Sequence, residues 1–223
     1  MSNKSAASDR LSDDMTGDYV AREWWLVRHA PVEAAGMIYG HLDLDAGFSD
    51  TGRLDDLAHF LPKEGAVVTS DLARCRDTAR HILQRQQDVD PPLIERASLR
   101  EQNFGRWEGK TYQEIEVADA ESYRAFFNDP VVCKPDGGEN FQGLLDRVQG
   151  ELEILSQSME AQNLILVTHA GVIRAMVGLA LGMAPEKMLS LVIDPLSLTH
   201  LTSFQSAEET SWRVNFVNDL NRL

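Results

Sequence analysis

The stretch Glu23-Trp-Trp-Leu-Val-Arg-His-Ala30 decides the fold class of this chain. Its apolar part, Trp24 to Val27, stops abruptly at Arg28 and His29. A short apolar run without polar alternation is typical of a strand that is buried on both faces of a parallel sheet. The stretch therefore predicts a central strand that runs directly into a loop with two chemically active side chains.

Two more segments have the same design further along the chain. Ala66–Thr69 is a second predicted strand and leads to Arg74, and Leu164–Val167 is a third and leads to His169. Alternating strands and helices predict an α/β protein, a three-layer sandwich with a mainly parallel central sheet. The predicted helices show apolar residues at helical spacing, namely Leu54, Leu57, Ala58 and Leu61, then Leu72, Cys75, Ala79, Ile82 and Leu83, then Phe141, Leu144, Leu145, Val148, Leu152 and Leu155, and finally Val172, Ile173, Met176, Val177 and Ala180.

The length of 223 residues fits a single α/β domain. We predict that residues 23–223 form it, with Ser197–Gln205 and Trp212–Phe216 as its closing strands, and that residues 1–22 are a polar tail. The tail lacks the apolar core of a signal peptide. No apolar run approaches the ~20 residues that a membrane span requires.

The formal net charge of −14 argues against a nucleic acid or an anionic membrane as the partner. It does not exclude a small phosphorylated ligand, because charges beyond a Debye length of about 8 Å are largely screened. One arginine at about 4 Å from a phosphate is worth on the order of 4 kcal/mol at an effective dielectric of 20. A local cluster of arginines can therefore outweigh the acidity of the whole chain.

His29 and His169 are candidate site residues because each follows a buried strand. Ligands of open parallel sheets bind beyond the carboxyl ends of the strands, where the strand order reverses. The alternative interpretation is that His29 and His169 are unrelated loop histidines. The guanidinium groups of Arg28 and Arg74 suit phosphate oxygens, although Arg74 alone also fits a solvated helix residue. Gly171 allows the backbone at a helix start to approach an anion. The pattern indicates a phosphate site.

Four segments, in order, resemble the signatures of the histidine phosphatase superfamily, which also contains cofactor-dependent phosphoglycerate mutase. They are Leu26-Val-Arg-His-Ala30, Ser70-Asp-Leu-Ala-Arg-Cys-Arg-Asp-Thr-Ala79, Leu99-Arg-Glu-Gln-Asn-Phe-Gly-Arg-Trp-Glu-Gly109 and Val167-Thr-His-Ala-Gly171. Pro135-Asp-Gly-Gly-Glu139 resembles another landmark, and the resemblance runs from about Trp24 to Leu201. Tyr39-Gly-His-Leu-Asp43 and Phe104–Gly109 are more similar to the alpha-ribazole phosphatase-like branch than to the mutases.

The resemblance implies a phosphoglycerate mutase-like sandwich and a role for each matched residue. His29 becomes the nucleophile that takes the phosphoryl group. Arg28 and Arg74 become the phosphate clamp, which His169 and Ala170 complete. No metal and no cofactor are implied.

The same resemblance makes Glu101 the proton donor to the leaving group, with Glu108 and Asp71 as competing candidates. The residues predicted to line the substrate pocket are Tyr39, His41 and Trp107. Packing in the core is an alternative use of the aromatic side chains around Trp107.

Two positions depart from the family pattern. Ala30 stands where glycine is usual, and Ala35 stands where many members have an asparagine, six residues past the nucleophile. Pro31 also stiffens this loop. These departures leave the natural substrate open.

Three functions remain after this reading of the sequence. A phosphatase that hydrolyses small phosphomonoesters, alpha-ribazole 5'-phosphate or a broader range, is favoured; the alternatives are phosphoglycerate mutase-type transfer and a non-catalytic phospho-ligand binding protein. A metal site of His29, His41 and His169 is disfavoured, because the adjacent arginines repel a cation and no His-x-x-x-His pair is present. Cys75 and Cys133 are too few for a disulfide framework, which favours a reduced cytoplasmic setting. The sequence leaves both a monomer and a homodimer open.

Overall fold

The computed structural model describes residues 19–86 and 92–220. Within these ranges the strands span Val20–Arg28 (β1), Ala66–Thr69 (β2), Leu93–Glu95 (β3), Asn163–Thr168 (β4), Leu198–Gln205 (β5) and Thr210–Asp219 (β6). The α-helices span Thr51–Phe60 (α1), Ala73–Arg85 (α2), Tyr112–Ala118 (α3), Ala120–Asn128 (α4), Phe141–Ser158 (α5), Ala170–Ala180 (α6) and Pro185–Met188 (α7).

The strands form one sheet in the order β3-β2-β4-β1-β5-β6. β1, β2, β3 and β4 pair in parallel, whereas β5 and β6 add an antiparallel edge. After β1 the chain moves to β2 on one side of the sheet, and after β4 it moves to β5 on the other side. The strand order therefore reverses between β1 and β4, which is where an open α/β sheet binds ligands.

Helices cover both faces of the sheet. The central strands present apolar side chains to both faces, so each face needs a layer of helices to bury it. Trp24 and Leu26 of β1 pack into the cluster that contains α5 and α6. Val27 of the same strand and Val67 of β2 pack into the cluster that contains α1 and α2. Each of these clusters has fully buried members, so the sheet is the middle layer of a three-layer sandwich.

A third, smaller apolar cluster stands apart from the two sheet faces. We call it the cap cluster, and its buried members are Ile38, Trp107, Ile115 and Phe126. It joins the loop that follows β1 to α3 and α4. The Gly109 amide donates to the Ile38 carbonyl at 2.7 Å, so backbone pairing also ties these segments together.

The predicted fold class is confirmed, and the predicted buried strands, amphipathic helices and closing strands are all present. β1 begins at Val20, inside the stretch that we assigned to the tail, because its first residues pair with the end of β5; residues 1–18 lie outside the described ranges. The short elements β3, α3 and α7 were not predicted, since they offer too few residues for a periodic pattern. Among the described helices, none has both the length and the apolar character that crossing a membrane requires.

Candidate active site

The candidate active site lies where β1, β2 and β4 end side by side. The His29 amide donates to the Thr168 carbonyl at 2.9 Å, and the Ser70 amide donates to the Val167 carbonyl at 3.2 Å. These bonds continue the pairing past the last strand residues, so the three loops leave the sheet at one place. The carboxyl ends of the parallel strands therefore present their polar side chains together.

His29 is buried as a neutral ring with a defined tautomer. It is 2 % exposed, and its Nδ1 lies 2.7 Å from the Ala30 carbonyl oxygen. A carbonyl oxygen only accepts, so Nδ1 carries the proton and Nε2 keeps its lone pair. Burial and then the positive charge of Arg74 lower the pKa of His29 to about 3. The ring thus has the form that nucleophilic attack requires.

Arg74 is fully buried and is held by backbone carbonyls. Its Nη1 donates to the Leu42 carbonyl at 3.0 Å and its Nη2 to the Gly40 carbonyl at 2.6 Å. Its guanidinium carbon lies 5.2 Å from the centroid of the Tyr39 ring. These contacts fix the orientation of the guanidinium plane without neutralising its charge.

Arg28 is held in a similar way, since its Nη1 donates to the Ile193 carbonyl at 2.6 Å. In both Arg28 and Arg74 the Nε atom is buried and has no hydrogen-bond partner among the described residues. A buried donor without a partner costs about 1–3 kcal/mol. Besides burial, the positive charges of Arg74 and Arg28 contribute to lowering the pKa of both His29 and His169. The charges of the two arginines therefore reach the ring of His29, where they would stabilise a bound anion.

His169 is fully buried, and its ring centroid is 5.1 Å from that of His29. Its Nε2 lies 2.9 Å from the Ser70 Oγ and 3.3 Å from the Cys75 Sγ. Burial lowers the pKa of His169 well below its ordinary value, and the nearby His29 ring adds to the effect. His169 is consequently also neutral, and it contributes a hydrogen bond rather than a charge.

The first turn of α6 provides one amide for an anion and one for the candidate acid. Ala170 begins this helix, and the first amides of a helix have no partner within it. The next amide, that of Gly171, donates to Glu101 Oε2 at 3.2 Å. A Cβ atom on Gly171 would lie 2.3 Å from Glu101 Oε1. The Glu101 carboxylate therefore packs directly on the backbone, and a side chain at position 171 would displace it.

The competing acid candidates have structural partners. Glu108 Oε1 accepts the amides of His41 at 2.7 Å and Phe104 at 3.0 Å. Asp71 forms a two-point ion pair with Arg100, at 2.7 and 2.5 Å, and this contact lowers the pKa of Asp71. Asp71 is therefore held in its charged form and is a poor proton donor. The Glu101 carboxylate instead packs on the first turn of α6, beside Gly171 and two residues after His169, and this position favours it over Glu108.

The three predicted pocket residues lie at different depths. Tyr39 lies beside Arg74, and His41 donates from Nε2 to the Glu101 carbonyl at 2.9 Å. Trp107 is only 4 % exposed and packs against Phe126 in the cap cluster, with ring centroids 5.2 Å apart. Its observed role is packing, and a contact between Trp107 and a substrate stays a prediction.

Both departures from the family pattern have a structural consequence. Ala30 is fully buried, and its amide donates to Thr78 Oγ1 at 2.9 Å, which in turn donates to the Arg74 carbonyl at 2.6 Å. The extra methyl group is thus accommodated between β1 and α2. Ala35 has a φ of +49°, a left-handed conformation in which a Cβ atom is strained.

Sequence reasoning missed several residues that support this site. Ser70 and Thr78 lie inside a quoted motif, so their spacing from Arg74 could have identified them. Arg174 follows His169 by five residues and donates from Nε to the Leu191 carbonyl at 2.8 Å. Burial lowers the pKa of Arg174, the charge of Glu101 opposes this effect, and the charge of Arg28 adds to it. Only tertiary contacts reveal such a residue. Within the part of the chain that the structure describes, no three His, Cys, Asp or Glu side chains converge as metal ligands would.

Comparison with known proteins gives a consistent result. The family model for the histidine phosphatase superfamily (branch 1) matches residues 24–219. The adenosylcobalamin/alpha-ribazole phosphatase of Escherichia coli strain K12 is 31% identical over 175 residues, which are 76% of this chain and 84% of that protein. The metal-independent phosphoserine phosphatase of Arabidopsis thaliana is 34% identical over 174 residues, which are 74% of this chain and 71% of that protein.

Among solved structures, a putative alpha-ribazole-5'-P phosphatase from Escherichia coli K-12 superposes with a TM-score of 0.77 at 28% sequence identity, covering 89% of this chain and 96% of that one. The family model spans most of the chain, including both histidines and both arginines of the site. The chain therefore belongs to the histidine phosphatase superfamily, and its fold is that of the phosphoglycerate mutase-like members.

Proposed function

We propose that this protein is a phosphatase that hydrolyses small phosphomonoesters through a phosphohistidine on His29, without a metal ion. One observation carries the proposal. His29 keeps a neutral Nε2 because its Nδ1 donates to the Ala30 carbonyl, and the positive charges of Arg28 and Arg74 both act on its ring. This is the arrangement that phosphoryl transfer needs, because the enzyme's main tasks are to position the groups and to stabilise the charge on the equatorial oxygens.

In the first half-reaction, His29 Nε2 attacks phosphorus as the ester P–O bond breaks. The arginine donors and the Ala170 amide hold the phosphoryl oxygens, and neutral His169 adds a hydrogen bond. Glu101 gives its proton to the leaving alkoxide. The Ala30 carbonyl keeps its bond to the Nδ1 proton, which stabilises the positive charge that develops on the ring.

In the second half-reaction, water attacks the phosphorus atom and the P–N bond breaks. Glu101, now a carboxylate, takes the proton of the water, so that it ends the cycle protonated again. His29 returns to its neutral form and inorganic phosphate leaves. Each half-reaction therefore uses the same carboxyl group in opposite directions.

The proposed substrate is alpha-ribazole 5'-phosphate or a wider range of small phosphorylated metabolites. Support comes from the names of relatives that act on alpha-ribazole phosphate and on phosphoserine. A cytoplasmic location belongs to the same proposal, and the free thiols of Cys75 and Cys133 support it. A screen of phosphorylated sugars, nucleosides, cobalamin precursors and phosphoglycerates that measures phosphate release would rank these substrates.

The proposal is tested by rapid quenching of the enzyme with a ³²P-labelled phosphomonoester. We expect an acid-labile, base-stable phosphoryl adduct on His29, and a loss on the order of 10⁴- to 10⁶-fold in kcat for His29→Gln. His59→Gln is the matched control, because His59 is exposed at the end of α1. Turnover without an adduct would contradict the mechanism. Transfer of the label to a second phosphoglycerate instead of to water would identify a mutase.

Metal independence is tested separately by assaying phosphate release in EDTA. Since arginines rather than a cation neutralise the phosphate, we expect unchanged activity. Loss of activity that a divalent ion restores would show that the histidines serve as metal ligands.

A further inference from the structure

The guanidinium group of Arg147, on α5, forms hydrogen bonds to the segment that carries the candidate acid and to Glu139. Its Nη1 donates to the Ser98 carbonyl at 2.7 Å and its Nη2 to the Glu101 carbonyl at 2.9 Å. The same guanidinium forms a two-point ion pair with Glu139, with Nη2 to Oε1 at 2.7 Å and Nε to Oε2 at 3.1 Å. One side chain therefore joins three separate segments of the chain.

Glu139 closes the turn Pro135–Glu139, which the phosphoryl-transfer steps above do not use. Its Oε1 accepts the Asn103 amide at 3.0 Å, and its carbonyl accepts from the Gln102 side chain at 2.9 Å. Its own amide donates to the Asn103 carbonyl at 2.8 Å. The two residues after Glu101 are thus bonded to Glu139, while Glu139 is bonded to Arg147.

These bonds fix the backbone of Glu101 on one side, and α6 fixes its carboxyl group on the other. The Glu101 carbonyl accepts from both Arg147 and His41. Its carboxylate accepts the amides of Gly171 and Gln102. Arg147 bonds the Glu101 backbone and not its carboxylate, so these hydrogen bonds act on the position of Glu101, while the Arg147 charge acts on the rings of His169 and His41.

We propose that Arg147, together with Glu139, is a positioning residue for the general acid Glu101. The inference rests on the proposed function and specifies how its acid is held. General acid catalysis requires a heavy-atom distance of about 2.6–3.2 Å to the proton acceptor, and a misplacement of about 1 Å can cost on the order of 100-fold in rate. Without Arg147, the segment from Ser98 to Asn103 loses its two carbonyl bonds to α5.

The test uses the dependence of the rate on the leaving group. Alkyl phosphates need a proton on the departing oxygen, whereas p-nitrophenyl phosphate has a stable leaving anion and needs little help. In single-turnover experiments, which isolate cleavage of the ester bond, we expect Arg147→Gln to slow an alkyl phosphate by about 100-fold and p-nitrophenyl phosphate by less than about fivefold. A loss confined to folding or to phosphate binding would lower both rates equally.

Arg106→Gln is the matched control. Arg106 forms an ion pair with Asp136 of the same turn at 3.0 Å, but both side chains are largely exposed, at 79% and 70%. This variant should leave the rates of both substrates within about twofold of the original enzyme, since exposed ion pairs contribute little.

A double-mutant cycle shows whether Arg147 acts through Glu101. With Glu101→Gln in place, Arg147→Gln should cause no further selective loss on the alkyl phosphate, because the group that it positions is absent. Equal additive losses in the two backgrounds would overturn the inference.

Two milder variants keep the test decisive if Arg147→Gln folds poorly. Arg147→Lys retains the charge without the two-point geometry, and Glu139→Gln removes its ionic partner. Both should steepen the leaving-group dependence, and an unchanged dependence in both would overturn the inference. Failure of the proposed function is distinguishable, because the unmodified enzyme would then release no phosphate from either substrate.

Discussion

The phosphate pocket and the cap cluster are stabilised in opposite ways. In the pocket, His29, Arg74 and His169 are at most 2 % exposed and are held by hydrogen bonds to the backbone and to a hydroxyl group. The cap cluster has an apolar centre and a rim in which Tyr112 and Phe127 are about half exposed, at 51% and 48%. Polar contacts with defined geometry thus hold the candidate reacting groups, whereas less directional apolar contacts hold the cap cluster together.

The two regions meet at Gly40. Its carbonyl accepts from Arg74, and a Cβ atom at this position would lie 1.9 Å from the Gln102 carbonyl oxygen and 2.7 Å from the Phe104 ring. The cap cluster therefore supports the loop that orients the phosphate clamp.

Among the comparisons between the two regions, the largest effect should come from removing a buried charge from the pocket. Arg74→Met should lower kcat/KM by about 10³-fold, because a preorganised donor to the transition state is lost. Arg76→Met on the same helix is the control, since Arg76 forms a partly exposed ion pair with Glu95 at 3.6 Å. Steady-state phosphate release measures both variants, and equal losses would show that Arg74 has no special role.

A cavity in the cap cluster should have the next largest effect. Ile115 is 1 % exposed, so Ile115→Ala should lower the free energy of unfolding by about 2–4 kcal/mol in urea titrations. Val117→Ala, at a position that is 82% exposed, should change it by less than about 0.5 kcal/mol. In the Ile115→Ala variant, amide hydrogen exchange should become faster in α3 and α4 and stay unchanged in β4. An equal increase in all three elements would mean that the cap cluster does not unfold separately from the sheet.

Acid should destabilise the pocket more than the cap, because the pocket buries neutral histidines. The pKa values of His29 and His169 are lowered in the folded state, to about 3 for His29, from an ordinary value of about 6.5. Below pH 6.5 the unfolded chain binds protons that the folded chain does not, so stability should fall as the pH falls towards 3. The partly buried His41, whose pKa is also lowered, adds to this trend.

Between pH 6.5 and pH 3, each of these histidines can lower the free energy of unfolding by up to about 1.4 kcal/mol for each pH unit. Urea unfolding between pH 7 and pH 5 measures how steeply the free energy of unfolding changes with pH, before most carboxylates titrate. His29→Gln should reduce the slope by about one proton. An identical slope in the His29 variant would mean that this ring is protonated in the folded protein.

The smallest effect concerns the loop between the two regions. Ala35 has a left-handed backbone, with a φ of +49°, so Ala35→Gly should raise the free energy of unfolding by about 0.5–1 kcal/mol. Ala125→Gly, inside α4, should lower it by about the same amount, because glycine weakens a helix interior. Thermal or urea unfolding of both variants checks the opposite signs.

The sequence alone was enough to predict the three-layer fold and to place the candidate site residues at one edge of the sheet. Short apolar runs that end in Arg28 and His29 or in Thr168 and His169 are typical of strands buried on both faces, and parallel strands end on the same edge of a sheet. Local pattern and general topology were sufficient at these positions. The capping box of Thr111 and Glu114, which begins α3, was also a readable signal that periodicity alone did not reveal.

The tertiary structure alone decided how the site is held. The bonds of Arg147 to Ser98 and Glu101, and those of Arg74 to Gly40 and Leu42, join residues that are more than thirty positions apart in the sequence. Backbone carbonyls accept these bonds, and every residue has one, so no residue type marks the partner. The preference for Glu101 over its competitors likewise depended on where each carboxylate lies, beside the first turn of α6 or in a contact elsewhere, and that is a property of the packed chain rather than of its pattern.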